Sequence, residues 1–375
     1  MKEGWQTKKL ADVATLQRGF DLPTQDRTYG EIPLVTSSGI SDTVNKSAVC
    51  GPGVATGRSG SIGNVFFIDE DFWPLNTVLY VKDFHGNDPR FVFYLLQKFD
   101  LKRFATGTGV PTLNRNFVHD ELVHIPPLPE QKRIVALLDE AFAGLSTAKA
   151  NDEQNLQNAR AIFESHLESI FSQRGEHWEE RRIEDWCESV MDCVNKTAPV
   201  VETPTPFKML RTTNIRNGKV DGSTVKYVTQ ETYTTWTRRQ VPQRGDVILT
   251  REAPMGEVGM ILSDEKVFLG QRLVSYRANP KELDHFFLLY ALQSRALQDQ
   301  IHAKASGSTV QHMRVPDSKN LLLAAPSLQK QRAIVGQLKA LQADTQHLTH
   351  LYERKLADLE ELKKALLHQA FHGEL

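Results

Sequence analysis

Three short stretches of this chain have the residue types of a chemical site. GRSGSIG, starting at Gly57, has the glycine density of a phosphate cradle, in which backbone N–H groups close around an anion. Its spacing is G-x-x-G-x-x-G rather than G-x-G-x-x-G, which suits a tight turn between strands, and no G-x-x-x-x-G-K-[ST] loop occurs in the chain. NDPR at Asn87 is not the N-P-P-[YF] with which amino-group methyltransferases hold a flipped base. ERK at Glu353 matches the end of a nuclease E-x-K, but no strand aspartate stands upstream, and it reads as a solvated helical face. There is no H-E-x-x-H, and Cys50, Cys187 and Cys193 lack zinc-ligand spacing. No catalytic constellation emerges. The expectation is a chain with no catalytic, cofactor or metal site.

Composition narrows the class further. Of 375 residues, 40% are hydrophobic and 24% charged, as in ordinary globular proteins. No run of eighteen apolar residues is present, and MKEGWQTKKL lacks the apolar core of a signal peptide. A reducing cytoplasm is expected, with the cysteines as buried or half-buried thiols. The formal net charge of −1 carries no global basic signal. Its distribution is uneven: residues 207–281 hold 13 Lys/Arg against 7 Asp/Glu, and 129–178 hold 5 against 8. Charge alone decides nothing about partners.

The elements that position these residues come twice. PPLPEQKRIVALL from Pro126 returns as PSLQKQRAIVGQL from Pro326, matching Leu128, Gln131, Ile134, Val135 and Leu138 with Leu328, Gln331, Ile334, Val335 and Leu338. WQTKKLADV at Trp5 aligns with WEERRIEDW at Trp178. GVATGRSGSIGNVFFI from Gly53 aligns with DVILTREAPMGEVGMI from Asp246, and TGTGV from Thr106 with SGSTV from Ser306. The order never breaks, so the chain is two copies of one unit. DVILT and VLYVK read as strands, and RFVFYLLQKF and HFFLLYALQSRALQDQI as helices.

Each copy then ends in a long helix. Apolar or small residues recur with 4-3-4-3 spacing at Ile134, Leu138, Ala141, Leu145 and Ala148, and again at Ile334, Leu338, Leu341, Thr345 and Leu348. Pro129 sits where a first turn tolerates proline, and Gly175 and Gly373 suit C-terminal stops. A helix of about 43 residues is roughly 65 Å long. Each has one apolar stripe, most simply buried against the other in an antiparallel pair. Asp152 and Asn155 interrupt the first stripe, either as buried polar positions that fix register or as points of local solvent exposure, and exposure is the favoured reading.

With these motifs in order, the chain resembles the specificity subunits of type I restriction–modification enzymes. The resemblance lies in the doubled P-x-L-x-x-Q-x-x-I-V, RSGSIGNV, LRTTNIRNGKVDG from Leu210, GDVILTR from Gly245 and the terminal LLHQAFHGEL. It implies an α+β fold: two similar mixed α/β target-recognition domains joined by two long antiparallel coiled-coil helices, with a pseudo-twofold internal repeat. The expected boundaries are 1–128 and 176–326 for the recognition domains, 129–175 and 327–375 for the spacer helices. The resemblance further implies that each domain reads one half of a bipartite target in double-stranded DNA. Two modification subunits would bring S-adenosylmethionine and adenine-N6 methylation. Restriction subunits would bring an ATP- and Mg-dependent motor, and this chain would catalyse nothing itself. A protein-binding scaffold, with two similar domains on a rod, is the competing class.

On this reading the polar loops carry the contacts. In the first copy the candidates are Thr36, Ser37, Ser38, Arg58, Ser59, Ser61, Asn76, Thr108, Thr112, Asn114 and Arg115. In the second they are Arg211, Thr212, Thr213, Asn214, Arg216, Arg251, Gln271, Arg272, Ser308, Thr309, Gln311, His312 and Arg314. Arg chelates guanine O6 and N7, Asn and Gln pair with adenine, and Ser, Thr and Lys suit phosphates. Readers of different half-sites differ where they touch bases. The shared Arg58 and Arg251 therefore suit backbone contact or an internal ion pair. The divergent pairs Thr36/Arg211, Thr112/His312 and Asn114/Arg314 suit base reading. At the helix starts, Gln131, Lys132, Arg133, Gln331, Arg332 and Lys339 suit a repeated partner-docking face.

Overall fold

A computed structural model of the chain describes residues 4–107, 111–307 and 311–375. Eight α-helices lie among the described residues: α1 Pro89–Lys98, α2 Arg115–His119, α3 Leu128–Ser172, α4 Gln230–Trp236, α5 His285–Gln293, α6 Arg295–Ala303, α7 Val315–Lys319 and α8 Leu328–Ala370. The chain forms two compact units, residues 1–154 with 352–375, and residues 155–351. This division cuts across the linear one expected from sequence, because α3 and α8 each contribute a segment to both units.

The first unit holds a four-stranded sheet in the order Thr15–Arg18, Val78–Asp83, Gly53–Gly57, Val65–Ile68. All three pairings are antiparallel. Beside it, Ile32–Thr36 pairs with Gly39–Val44 and with Trp73–Pro74. The strand Gln6–Lys9 closes the unit against Leu122–Ile125. GRSGSIG is the turn between Gly53–Gly57 and Val65–Ile68. Gly60 and Gly63 have φ of +82° and +95°, which favour glycine, and a Cβ on Gly57 would meet the Ser61 carbonyl oxygen at 2.1 Å.

Helix α1 begins where Asp88 accepts hydrogen bonds from the N–H groups of Arg90 (2.9 Å) and Phe91 (3.0 Å), with Pro89 in the first turn. Its buried face of Phe91, Val92, Tyr94, Leu95 and Leu96 joins one core with Ile134 and Leu138 of α3 and Leu367, Ala370 and Phe371. Within this unit α3 and α8 run antiparallel: Lys149 Nζ lies 2.6 Å from Glu360, and Arg133 donates to the Leu375 carbonyl at 2.8 Å. The apolar stripe of α3 thus serves both the helix pair and the mixed domain. Asp152 is a correction. Its side chain is 15% exposed and faces Lys355 at 3.9 Å, because opposite charge on α8 satisfies it within the pair.

The second unit repeats the plan with additions. Its six-stranded sheet begins with the same four places, Cys187–Asp192, Leu273–Ala278, Val247–Arg251 and Met255–Met260, then adds Gly218–Val220 and Ile215–Arg216. Glu179–Arg182 pairs with Leu322–Ala325 as its terminal ribbon. Asp284 caps α5 as Asp88 caps α1, accepting from Phe286 and Phe287. The single helix expected over HFFLLYALQSRALQDQI is two. Ser294 takes an extended backbone (φ −66°, ψ 149°), and its Oγ donates to the Ala291 carbonyl at 2.7 Å, so α5 stops and α6 starts anew. In this unit Leu167 and Phe171 of α3 share a core with Ile334, Val335 and Leu338 of α8 and Phe287.

The repeated glutamine is the latch between mixed domain and helix. Gln131 is 2% exposed. Its Oε1 accepts from Asp88 N–H at 2.9 Å, and its Nε2 donates to Asn87 Oδ1 (2.8 Å) and the Pro126 carbonyl (3.0 Å). Gln331 is 0% exposed and does the same with Asp284 N–H (2.9 Å), the Glu282 carbonyl (2.8 Å) and the Pro326 carbonyl (2.8 Å). Both were expected on a docking face. Their side chains are instead consumed by the helix-start geometry, which is why the motif repeats with Gln in the same place. Gln131→Ala leaves these peptide groups buried and unpaired, and is expected to destabilise the first unit by about 2 kcal/mol. Urea denaturation of the full chain, followed by exchange at the Asp88 amide, measures it; an unaltered midpoint would rule the latch out.

Of the cysteines, Cys193 is buried and Cys187 half-buried, with burial pushing the Cys187 thiol up to about 12. Cys50 is exposed, against expectation, on the turn before the strand at Gly53. No helix among the described residues is long and apolar enough to cross a membrane.

Candidate nucleic-acid interface

The first unit gathers Arg58, Ser59, Thr112, Asn114 and Arg115 beyond the end of the inner strand Gly53–Gly57. The Arg58 carbonyl accepts from Leu113 N–H at 2.7 Å, and Ser59 bridges Thr112, so the 58–64 turn and the segment before α2 are stitched together. Asn114 caps α2 by accepting from Asn116 N–H at 3.1 Å. His119, on the same helix, accepts the Leu16 N–H on Nε2 at 2.8 Å, while Arg115 reaches the Leu16 carbonyl at 3.5 Å. Burial and the Arg115 charge both hold the His119 imidazole below its usual range, which keeps that nitrogen free to accept. The result is an open cleft lined by Arg58, Thr112, Asn114 and Arg115, together with Arg18, Leu79, Thr106, Leu113 and Asn116.

Other first-unit candidates flank this cleft or support it. Thr36 and Ser38 bond each other through their hydroxyls at 2.9 Å across the turn before Gly39, and a Cβ on Gly60 would lie 3.2 Å from Ser37 Oγ. Ser61 is exposed on the adjoining turn. Asn76 donates to Asp21, and its carbonyl lies 3.5 Å from Arg58 Nη1. Thr108, Ser308 and Thr309 lie outside the described residues.

The second unit uses the same stitching with different side chains. Met313 N–H donates to the Arg251 carbonyl at 2.9 Å, and His312 bridges Glu252 where Thr112 bridges Ser59. His312 also pairs with Ser306, as Thr112 pairs with Thr106. Arg314 is exposed and bound to Asp317 at 2.8 Å. Gln271 and Gln311 are exposed. Arg272 holds the left-handed φ of +72°, and its guanidinium meets Glu252 at 3.2 Å.

Several second-unit candidates are corrections. Asn214 is 0% exposed and builds a turn: it accepts Arg211 N–H at 2.9 Å and donates to the Asp221 carbonyl at 3.0 Å. Thr212 is buried and donates to the Ala253 carbonyl at 3.0 Å. Arg216 binds the carbonyls of Thr212 and Ile215, and Arg251 that of Met313 at 2.8 Å. The motif LRTTNIRNGKVDG is therefore largely structural. Its polar side chains replace backbone pairing in a turn, leaving Thr213 exposed and Arg211 half-exposed with Nη2 on the Thr224 carbonyl at 3.0 Å. Aspartate in GDVILTR is structural too: Asp246 is 1% exposed and grips Arg277 through both oxygens at 2.8 Å.

On the helices, Lys132 and Arg332 are exposed, while Arg133 is held by Glu130 and the Leu375 carbonyl. Lys339 lies over the Phe286 ring at 3.1 Å.

Arg18, Thr106 and Asn116 were missed from sequence. No sequence signal marked Arg18: strand register reveals its place, pairing it with Leu79 beside Thr56 as Asp192 is paired with Val274 beside Leu249, so Arg18 and Asp192 occupy matching places in the two units.

Fold and cleft together define a class: a duplicated mixed domain, with constant framework and varied loops, whose units each rest on segments of two long helices. The model of the type I restriction modification DNA specificity domain matches residues 2–157 and again 175–358, so the chain belongs to that family and carries the domain twice. The specificity subunit of the type I restriction enzyme EcoBI of Escherichia coli is 22% identical over 294 residues, covering 72% of this chain and 62% of that protein. The MjaVIII specificity subunit of Methanocaldococcus jannaschii is 23% identical over 307 residues, covering 77% and 70%. The chain thus spans less than two thirds of the E. coli relative. The solved HsdS subunit from Thermoanaerobacter tengcongensis has a TM-score of 0.63 at 20% identity, covering 100% of this chain and 98% of that one. A chain from a structural study of complex assembly and conformational transition in the type I R-M system reaches 0.78 at 20%, covering 100% and 99%. These neighbours share the fold.

Proposed function

We propose that this chain is the reading subunit of a type I restriction–modification complex, with one unit for each half of a bipartite DNA target. Sequence is read at base edges, while contacts to phosphate set position. The observation that carries this reading is the contrast inside the repeat. Framework residues recur, as Gln131/Gln331 and Asp88/Asp284 do, while the cleft positions they support diverge, as Thr112/His312, Asn114/Arg314 and the strand residues Arg18/Asp192 do. One scaffold with two different faces suits two different half-sites.

On this proposal the chain catalyses nothing and holds no cofactor. Two modification subunits dock on the helices and supply S-adenosylmethionine and adenine-N6 methylation. Restriction subunits supply ATP- and Mg-dependent translocation and cleavage, and the complex works in the cytoplasm. Exposed Lys132 and Arg332, at matching places near the starts of α3 and α8, support a docking face used twice. Methylome sequencing with and without this chain tests the proposal. The expected result is loss of one adenine-methylated motif made of two defined parts and an unspecified gap. An unchanged methylome, in cells that retain active modification subunits, would count against it.

A further inference from the structure

We infer that the cleft of the first unit seats a backbone phosphate of duplex DNA, and that the second unit has no such seat. The inference rests on the DNA-reading function proposed above. Three arginines, Arg18, Arg58 and Arg115, line the cleft, and no carboxylate is among its described lining residues. Each is held only at the limit of hydrogen bonding: Arg18 Nη2 to Asp21, Arg58 Nη1 to the Asn76 carbonyl and Arg115 Nη1 to the Leu16 carbonyl, all at 3.5 Å. Most of their N–H groups therefore remain available. Among the described residues only Arg18 of the three has a carboxylate partner, Asp21 at 3.5 Å, so positive charge is in excess at the cleft and attracts an oxyanion. The guanidinium fork matches phosphate oxygens, and Thr106 and Asn116 add neutral donors at the same wall. A base edge is satisfied by one bidentate arginine, whereas several converging arginines suit a phosphate with its anionic charge and several acceptor oxygens.

The second unit has dismantled the same place. Asp192 stands where Arg18 stands, and its carboxylate holds Arg239 at 2.8 Å. The Arg251 guanidinium is committed to the Met313 carbonyl at 2.8 Å. Val315 occupies the place of Arg115 at the start of α7. The two units therefore differ at this one place: Arg314, at the α7 start where Asn114 caps α2, is paired with Asp317 at 2.8 Å and does not restore the cluster.

The test uses the full chain and a duplex of about 30 base pairs of arbitrary sequence, titrated at several salt concentrations. Neutralising one phosphate contributes about 0.9 to the slope of log affinity against log salt. The Arg18→Ala/Arg115→Ala variant is expected to flatten the slope by about 1 and to weaken binding at low salt. Arg18→Lys/Arg115→Lys is expected to keep the slope, which separates charge from folding. If the alanine variant melts like the wild type and binds with an unmoved slope, the seat is refuted. If the lysine pair loses the slope as fully as the alanine pair, simple charge pairing with a phosphate is refuted. A calorimetric titration with inorganic phosphate distinguishes the source of the anion. Tight uptake by the wild type, lost in the alanine variant whose duplex slope is unmoved, would assign the cleft to a small phosphate instead. A wild-type chain that binds no duplex would sink the DNA reading itself, and the seat with it.

Discussion

If each unit reads one half of a bipartite target as proposed, replacing residues 1–125 with the matching segment of another family member is expected to change one half of the DNA target and leave the other half as it was. The cleft residues Arg18, Arg58, Thr106, Thr112, Asn114 and Arg115 all fall inside this segment. Its ends are already paired with each other, Gln6 opposite Ile125 through Lys9 opposite Leu122, so the exchange moves that ribbon whole. The junction then falls at Pro126, ahead of the latch. Gln131 of the recipient must find the N–H of the aspartate that caps α1 in the incoming domain, as it finds Asp88 here. A donor with Asp at that cap and a polar partner at the position of Asn87 preserves the joint. The new motif is read by methylome sequencing of cells carrying the hybrid. A simultaneous change in both halves would mean that the halves are not read by separate units.

Lengthening both helices by one heptad is expected to widen the gap between the half-sites by about three base pairs without altering either half. The insertion belongs after Gln154 in α3 and before Tyr352 in α8, where the two compact units divide each helix. Seven residues add about 10 Å at 1.5 Å per residue. One base pair rises about 3.4 Å, which gives the expected three. A heptad keeps the 3.5-residue period of the stripe, so Ile134 and Leu138 still meet their core and Leu367 still meets the same residues. Inserting three residues in α3 alone turns the stripe away from its partners, and is expected to abolish modification rather than to change spacing. A heptad variant that methylates the original motif with its original gap would refute the idea that the helices measure distance.

Much of this protein is written in local pattern. The 4-3-4-3 stripe of α3 and α8, the aspartate–proline start of α1 and the glycines of the 57–63 turn each act through neighbours a few residues away. Their chemistry is therefore legible in the sequence itself. The duplication is legible too, because framework residues such as Gln131 and Gln331 keep their identity at fixed spacing. What those residues do is not. Gln131 beside Lys132 and Arg133 reads as an exposed polar face, and only the approach of Asn87 and Asp88 turns it inward.

The cleft shows the same limit from the other side. Arg18 and Arg115 are 97 positions apart, and nothing near either of them announces the other. The pairing of Thr15–Arg18 with Val78–Asp83, and the anchoring of α2 on Leu16 through His119, bring them together. Conversely, Asn214 and Thr212 have the polarity of base readers, and are consumed by carbonyls that their own turn leaves unpaired. Sequence by itself determined the two copies, the long helices and the split between constant framework and varied loops, since these depend on short-range periodicity and composition. Tertiary structure alone decided which polar groups remain free for a partner. A hydrogen-bonding group is available only when the fold has brought it no nearer acceptor or donor, and that depends on residues far away along the chain.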